Sequence, residues 1–444
     1  MYPDSHSNSA KLYQRAQAVM PGGNSRHTVY FPPYPIYLER GEGCRVIDVD
    51  GIERIDCINN YSALIHGHCH PDIVAALQAQ SGKLLSASLP TEAEIQLAEL
   101  ITDRVGGVEQ IRFANSGTEG VMFAVKAARA YTGRNKIAKI EGAYHGAYDS
   151  VEVSLYPTPD AWGPDAAPAG VTMPGGHDGA RSNTIVLPAN DVEAGRSILR
   201  AHGDDLAGVI LDPMIKNLAY LQATPEYVAM LREETRALGA LLIFDEVYSF
   251  RLGYGGAQEA IGIAPDLTAM GKVIGGGMPI GAVGGSRQLM ETLFDPRNGV
   301  GIMSHTGTFN ANPMTMIAGA VAMQLYDRAA HERLVALGER LRKGLGEALA
   351  IAGVEGTVTG AASMIGLFHT ATPITDYRSM IQLIGTDRGL MARADDFFRR
   401  MLNEGVYMAQ QGFMVLSTPM TEADIDFISD KALLCLRAMA ARGH

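Results

Sequence analysis

Cysteine is scarce in this chain. There are four, Cys44, Cys57, Cys69 and Cys435, with no C-x-x-C spacing and no dense framework. A disulfide scaffold is therefore excluded, and reduced thiols in a cytosol are the expectation. Basic clusters are missing as well. Lys and Arg number 37 against 48 Asp and Glu, a formal net charge of −11, and no basic run occurs. A nucleic-acid partner needs clustered cations to meet its phosphates, so that class is set aside as a main function. Long apolar runs are absent too. The longest candidates, around Ile274–Gly285 and Met316–Met323, are broken by glycine or too short for a membrane span. Met1–Met20 is polar and has no apolar core of a secretion signal. Together these absences lead us to expect a soluble, cytoplasmic protein without nucleic-acid or membrane partners.

What is present points to a large globular enzyme. The 444 residues are 47% hydrophobic and 19% charged, enough for one large core or two unequal ones. Fifty glycines imply many tight turns and close backbone approaches. Gly208-Val-Ile-Leu211 and Leu241-Leu-Ile-Phe244 are short apolar runs of the kind buried parallel strands show. Thr224–Gly239 between them has helical spacing and ends at a glycine. Thr91-Glu-Ala-Glu94 reads as a capping box, and Thr421-Glu-Ala-Asp424 resembles one. The alternation predicts an α/β fold with a mainly parallel sheet. Pro157–Ser182 holds five prolines, five glycines and the only tryptophan, Trp162, and reads as a lid or a disordered insert. From Pro313 onward a second unit is expected, entered by a long helix over Met314–Arg328. There are no internal repeats.

Three features carry chemistry. Ser116, Gly117 and Thr118 open a helix over Gly120–Tyr131, where free N–H groups and the helix dipole suit a phosphate; the plainer alternative is an ordinary N-cap. Asp245 ends the run Leu241–Phe244, at the strand end where open α/β sheets carry ligands. A carboxylate there can hold a ring nitrogen protonated; it can also simply cap the next turn. Lys272 stands among Met270, Val273 and Ile274 with glycines on both sides. Desolvation would lower its pKa and make it a nucleophile toward an aldehyde, against the alternative of a surface loop lysine. The glycine spacing at Gly275–Gly285 follows no clear strand and opens no clear helix, so it is discounted as a dinucleotide signal. A phosphate-binding helix start, a strand-end aspartate and a desolvated lysine are together the set that pyridoxal 5′-phosphate needs.

At these residues the chain resembles the class III aminotransferases of the fold type I pyridoxal-phosphate group, over nearly its whole length. The matching stretches are Pro21-Gly-Gly-Asn-Ser-Arg26, His66-Gly-His-Cys-His-Pro71, Asn115-Ser-Gly-Thr-Glu119, Gly142-Ala-Tyr-His-Gly146, Asp245-Glu-Val247, Gly271-Lys-Val-Ile-Gly-Gly-Gly-Met-Pro279 and Thr306-Gly-Thr-Phe-Asn310. Within the group it resembles the β-amino-acid aminotransferases, such as the β-phenylalanine enzymes, through Leu293-Phe-Asp-Pro-Arg297, His305–Asn310 and Gly412–Ser417. It is nearly as similar to the glutamate-1-semialdehyde aminomutases, through Arg251–Gln258 and the loop 157–182.

The resemblance implies a large domain over 56–313 with a seven-stranded-type, mainly parallel sheet. It also implies a smaller α+β domain over 314–444, joined by the N-terminal segment 1–55. It implies a Schiff base between Lys272 and the cofactor, Asp245 on the ring nitrogen, and phosphate contacts from Ser116, Gly117 and Thr118. Tyr144 would cover one ring face and Val247 the other. Thr308 would reach the phosphate of a neighbouring subunit, making an obligate homodimer. Arg26, Tyr61 and Gln411 would meet substrate, and His66, His68 and His70 would form a structural loop instead of a metal site. Two positions depart from the family pattern. Asp212-Pro213 stands where Glu-Pro is usual, and Gln411 stands where many relatives carry a carboxylate-binding arginine. The implied activity is ping-pong transfer of an amino group from an amine or a β- or ω-amino acid to a 2-oxo acid. The alternative is intramolecular transfer by an aminomutase. A dinucleotide oxidoreductase would need G-x-G-x-x-G directly after a strand, and a non-catalytic descendant would be expected to lack Lys272 or Asp245.

Overall fold

The computed structural model describes residues 2–299 and 303–442. The chain divides into two compact units. The larger holds Asp72–His331 and Ile374–Gly385; the smaller holds Met1–Pro71, Glu332–Pro373 and Thr386–His444.

The larger unit is built on a seven-stranded sheet: β1 (Gln110–Ala114), β2 (Lys136–Ile140), β3 (Thr184–Leu187), β4 (Leu206–Leu211), β5 (Leu241–Asp245), β6 (Leu267–Gly271) and β7 (Gly281–Gly285), in the order β1-β7-β6-β5-β4-β2-β3. β7 runs antiparallel to both its neighbours, and the other pairings are parallel. β5 lies beside β4 with Phe244 opposite Leu211, and beside β6 with Asp245 opposite Ala269. The run Leu241–Phe244 is apolar throughout because both faces of the sheet are covered. Leu241 and Ile243 enter one core with Val121, Ala124 and Ala128 of α1 (Gly117–Thr132). Leu242 and Phe244 enter the other with Tyr227, Val228 and Leu231 of α2 (Pro225–Leu238). That two-residue alternation is the strand period itself.

Local signals explain most helix limits. Ser116 caps α1 by accepting from Glu119 N at 3.2 Å, and α1 ends at Gly133 with φ +68°. Thr224 caps α2, which has Pro225 at its first position and stops at Gly239, φ +64°. Thr421 and Asp424 make the reciprocal box, 3.3 and 2.9 Å. Thr91 does not. Its helix, Glu92–Thr102, begins where expected, but the Thr91 hydroxyl is buried with no partner among the described residues.

Three further expectations change. The helix expected over Met314–Arg328 is two: α3 (Pro313–Leu325) ends before Tyr326, and Asp327 starts Arg328–Ala352 by accepting from Ala330 N at 2.7 Å. The glycines of 281–285 form strand β7; a Cβ on Gly281 would sit 1.8 Å from Ser116 O, so glycine lets the strand pass that turn. Loop 157–182 is ordered by Arg378, which bonds Glu141 at 2.8 and 3.1 Å, Asp165 at 2.7 Å and the carbonyls of Trp162 and Gly163 at 2.7 and 2.8 Å. Those bonds tie 374–385 to the larger unit, and α3 joins it by packing on Glu92–Thr102. The unit limits thus fall at 71 and 331, against 55 and 313 expected from the sequence.

The smaller unit is α+β. Leu38–Glu42, Arg45–Asp48 and Glu53–Asp56 form an antiparallel meander, extended by the parallel strand Val406–Tyr407. Thr357–Thr359, Met364–Phe368 and Phe413–Val415 form a second, antiparallel sheet. Helices Leu390–Asn403 and Glu422–Ala440 pack together. Among the described residues no helix is long and apolar enough to cross a membrane.

Candidate active site

The strand ends of the larger unit bring four segments together. After β1 come Ser116, Gly117 and Thr118; after β2 come Tyr144 and His145; β5 ends in Asp245 and leads to Val247; β6 leads to Lys272. Close backbone approaches show the convergence. A Cβ on Gly271 would lie 3.4 Å from Gly117 Cα and 3.4 Å from Val247 Cγ1, and one on Gly117 would meet Val247 Cγ1 at 2.5 Å. A Cβ on Gly146 would meet Thr118 Oγ1 at 2.6 Å. The glycines of the matching motifs are therefore there for clearance.

Asp245 is buried and fixed on both oxygens. Oδ1 accepts from Val247 N at 3.1 Å, and Oδ2 lies 2.8 Å from His145 Nδ1. Burial holds His145 below the usual imidazole range, against the pull of Asp245. A neutral ring with its proton on Nδ1 donates to the carboxylate. His145 Nε2 is buried with no partner among the described residues. His145 stood in the sequence only as part of a motif; its role shows once the turn after β2 lies beside the end of β5.

Lys272 takes φ +49°, a left-handed backbone at a non-glycine residue. Burial depresses its pKa, while the Asp245 and Asp212 carboxyls pull the other way. Asp212 follows β4 as Asp245 closes β5, so the two carboxyls stand on adjacent strands; burial and then the Asp245 charge raise Asp212 well above the usual range. Lys216 is a second desolvated lysine: burial, then the Lys272 charge, bring its pKa down to about 8. The Lys272 setting is thus less singular than its flanking sequence suggests. Glu246 is pushed up to about 7 by burial, and its carboxylate caps Ala257–Ile261 by accepting from Ala257 N at 2.7 Å and Gln258 N at 3.1 Å.

These groups fit pyridoxal phosphate. The N-terminus of the 16-residue α1 presents free N–H groups to a phosphate, Asp245 offers a buried carboxylate to a protonated ring nitrogen, and Lys272 offers an amine to an aldehyde. Tyr144 is 49% exposed, and Val247 is half-buried.

The remaining expected residues fall outside these four segments of chain. Thr308 is exposed and lines a surface cavity of about 620 Å³ with Ser86–Pro90, Arg112 and His305. Asn310, in the same loop, accepts from Asn115 Nδ2 at 2.8 Å. Arg26, Tyr61 and Gln411 belong to the smaller unit. Arg26 is exposed and donates to Asn60 Oδ1 at 2.8 Å, and the Tyr61 hydroxyl donates to the Thr28 carbonyl. Asn59, Asn60, Tyr61 and Ser62 all have positive φ, +49°, +48°, +54° and +80°. Gln411 is exposed. His68 Nε2 meets Asp56 at 2.7 Å and His66 Nδ1 meets Thr418 at 2.9 Å; among the described residues no His, Cys, Asp and Glu group could hold a metal ion.

Comparison with known proteins agrees with this arrangement. The model of the class-III aminotransferases matches residues 28–427. The crystal structure of an omega-transaminase from Sphaerobacter thermophilus is similar at 44% identity and a TM-score of 0.93, with 98% of each chain covered. A β-phenylalanine aminotransferase from Variovorax paradoxus is 35% identical at a TM-score of 0.84, covering 98% of this chain and 94% of its own. Glutamate-1-semialdehyde 2,1-aminomutase 2 of Brevibacillus brevis is 39% identical over 426 residues, 94% of this chain and 95% of that protein. With the family matched across nearly the whole fold, and its cofactor suited to the residues at the strand ends, the chain belongs to the class III aminotransferases, enzymes dependent on pyridoxal phosphate.

Proposed function

We propose that the enzyme is a transaminase that takes an amino group from an amine or a β- or ω-amino acid and delivers it to a 2-oxo acid in two half-reactions. The observation that carries this reading is the convergence of Lys272, the His145-backed Asp245 and the α1 N-terminus at the ends of β6, β5 and β1. When bound, the cofactor supplies an electron sink for the carbon that bears the amino group. The chain's own groups do the rest. Asp245 would keep a ring-nitrogen proton in place, and His145 keeps Asp245 aimed. Lys272 would hold the cofactor between turnovers and, as a general base, take the proton from the substrate carbon that bears the amino group, a role its depressed pKa suits. Ser116, Gly117 and Thr118 hold the phosphate, with Tyr144 and Val247 on the two ring faces.

Arg26 is the carboxylate anchor in this reading. A planar guanidinium grips a carboxylate through two charge-assisted bonds, and the Asn60 amide that holds Arg26 leaves its charge intact. Tyr61, beside Asn60, faces the same substrate. Gln411, a neutral amide, gives weaker bonds to an anion. The site therefore has one strong anchor and tolerates donors with no carboxylate.

We place the enzyme in the cytoplasm as a homodimer. Its four cysteines are all free thiols. Thr308 reaches the phosphate of a second copy. Leu89 lines the Thr308 cavity and is 77% exposed; Leu85 and Phe309, next in sequence to its lining residues, are 62% and 58% exposed, and Asn312 Nδ2 bonds Leu85 O at 3.2 Å to join their segments. An apolar patch of this kind suits a second copy of the chain.

The aminomutase names of curated relatives near 39% identity favour a second reading, intramolecular transfer. A single half-reaction separates the two. Donor amine is added to the holoenzyme without acceptor. Release of a carbonyl product, with the protein left in its amine form, supports the transaminase; an isomerised amino acid with no released carbonyl supports the aminomutase.

A further inference from the structure

Lys272 faces an aromatic wall. Its Nζ lies 5.2 Å from the centroid of the Tyr248 ring, inside the roughly 6 Å over which an ammonium is drawn to an aromatic face. The Tyr248 hydroxyl lies 2.8 Å from that of Tyr220, with ring centroids 6.1 Å apart and planes tilted by 34°. Both side chains are buried. Tyr220 sits in the turn after Met214–Ile215, where its N–H donates to Lys216 O at 3.4 Å. Ala219 and Tyr220 are both left-handed, φ +57° and +59°, as is Lys272 itself. Consecutive non-glycine residues in that region persist only where the surroundings over-determine them. The left-handed backbone thus lies at Lys272 itself and at Tyr220, which holds Tyr248, whereas Tyr248 is right-handed at φ −106°.

We propose that Tyr248, held by Tyr220, is a positioning residue whose ring is the resting face of the Lys272 ammonium whenever that amine is not joined to the cofactor. The proposal rests on Lys272 being the cofactor lysine. In a transfer that proceeds by halves, the lysine is released in the first half and must be recaptured in the second. A flexible four-carbon stem left loose would have to search for the site each time. The ring gives the charged amine one resting place and does not hold the neutral amine that attacks the cofactor, so below the Lys272 pKa it slows attachment. The other charged groups around the amine are the Asp245 and Asp212 carboxyls, which favour the ammonium, and Lys216, which opposes it. Arg251 is fully buried and its charge acts on Tyr326, Tyr248 and Tyr220.

The test is the pH dependence of cofactor attachment. Apoprotein is mixed with pyridoxal phosphate, the visible band of the lysine-bound form is followed over time, and wild type is compared with Tyr248→Leu, Tyr248→Phe and Tyr220→Phe. Removing the ring removes a term that favours the ammonium. In Tyr248→Leu the rate profile should move down by about half a pH unit or more, so that attachment is about threefold faster than wild type at low pH and equal to it above the Lys272 pKa. Tyr248→Phe keeps the ring and should track wild type. Tyr220→Phe frees the ring to turn and should move part of the way. A Tyr248→Leu profile that superimposes on wild type, or lies below it by one factor at every pH as packing damage would make it, overturns the proposal. Reduction and peptide mapping of the wild-type adduct separates the two levels: an adduct away from Lys272 sinks the reading of the site, whereas an adduct on Lys272 with an unshifted profile sinks only the role of the tyrosines.

Discussion

His145 Nδ1 lies 2.8 Å from Asp245 Oδ2, and both side chains are buried. The imidazole holds one carboxylate oxygen and Val247 N holds the other, so the two together set where the Asp245 charge points. Replacing His145 with Ala leaves a buried charge short of one bond. We expect a loss of about 1.5–3 kcal/mol, read as a kcat lower by roughly tenfold to a hundredfold and a weaker grip on the cofactor. Equal kcat and cofactor affinity in His145→Ala would show that Asp245 does not depend on it.

Asp245→Asn keeps the shape and removes the charge. The variant should still bind cofactor through the α1 N-terminus and Lys272 but lose turnover by on the order of a hundredfold or more, the scale seen when one preorganised electrostatic partner is removed. Steady-state kinetics on cofactor-saturated protein measures it. An unchanged kcat would assign the ring-nitrogen proton to another group.

Buried histidines give stability a pH signature. Burial holds His145 below its ordinary value and lowers His369 to about 4. Both are depressed in the fold, so the unfolded chain binds more protons between the two pKa values and stability falls as pH drops. The window for His369 runs from about 6.5 down to about 4, and the loss by its lower end is on the order of 3 kcal/mol. Denaturant titrations of apoprotein at pH 7 and pH 5 should show the lower pH less stable, with the difference reduced in His369→Asn. A difference that persists in full in that variant would locate the effect elsewhere.

Substrate choice turns on Arg26. Arg26→Ala should cut kcat/KM for 2-oxo acids and amino acids about a hundredfold, the scale of a lost charge-assisted pair, and leave the half-reaction of a simple aryl-alkyl amine near wild type. Equal loss with both substrate types would make Arg26 structural through its bond to Asn60.

Much of this was legible in the sequence because the local signals agree with one another. Ser116 caps a helix that stops at Gly133, Thr224 and Gly239 bracket α2, and Asp245 closes a strand recognisable as an apolar run, whereas the strand Leu267–Gly271 before Lys272 carries no such run. What was not legible depends on non-local contacts. Gly281–Gly285 has no strand-forming composition; it is a strand because it pairs antiparallel with both β6 and β1, and Ser116 O leaves room only for glycine at 281. Arg378 is an ordinary charged residue until 374–385 returns to the larger unit and meets Glu141 and the turn around Trp162. The Thr91 box fails, while Thr421 and Asp424 satisfy each other. Tyr220, Tyr248 and Lys216 carry no motif at all, and only the chain path gathers them near Lys272.

The central claim is that Lys272 carries the cofactor, and Lys216 is the lysine that could take its place. The direct measurement is borohydride reduction of the holoenzyme followed by mass mapping of the modified peptide, in wild type, Lys272→Ala and Lys216→Ala. The account predicts an adduct on Lys272 in wild type and in Lys216→Ala, and neither adduct, visible band nor turnover in Lys272→Ala. An adduct on Lys216 in the wild-type protein, or a Lys272→Ala variant that turns over at the wild-type rate, would contradict it.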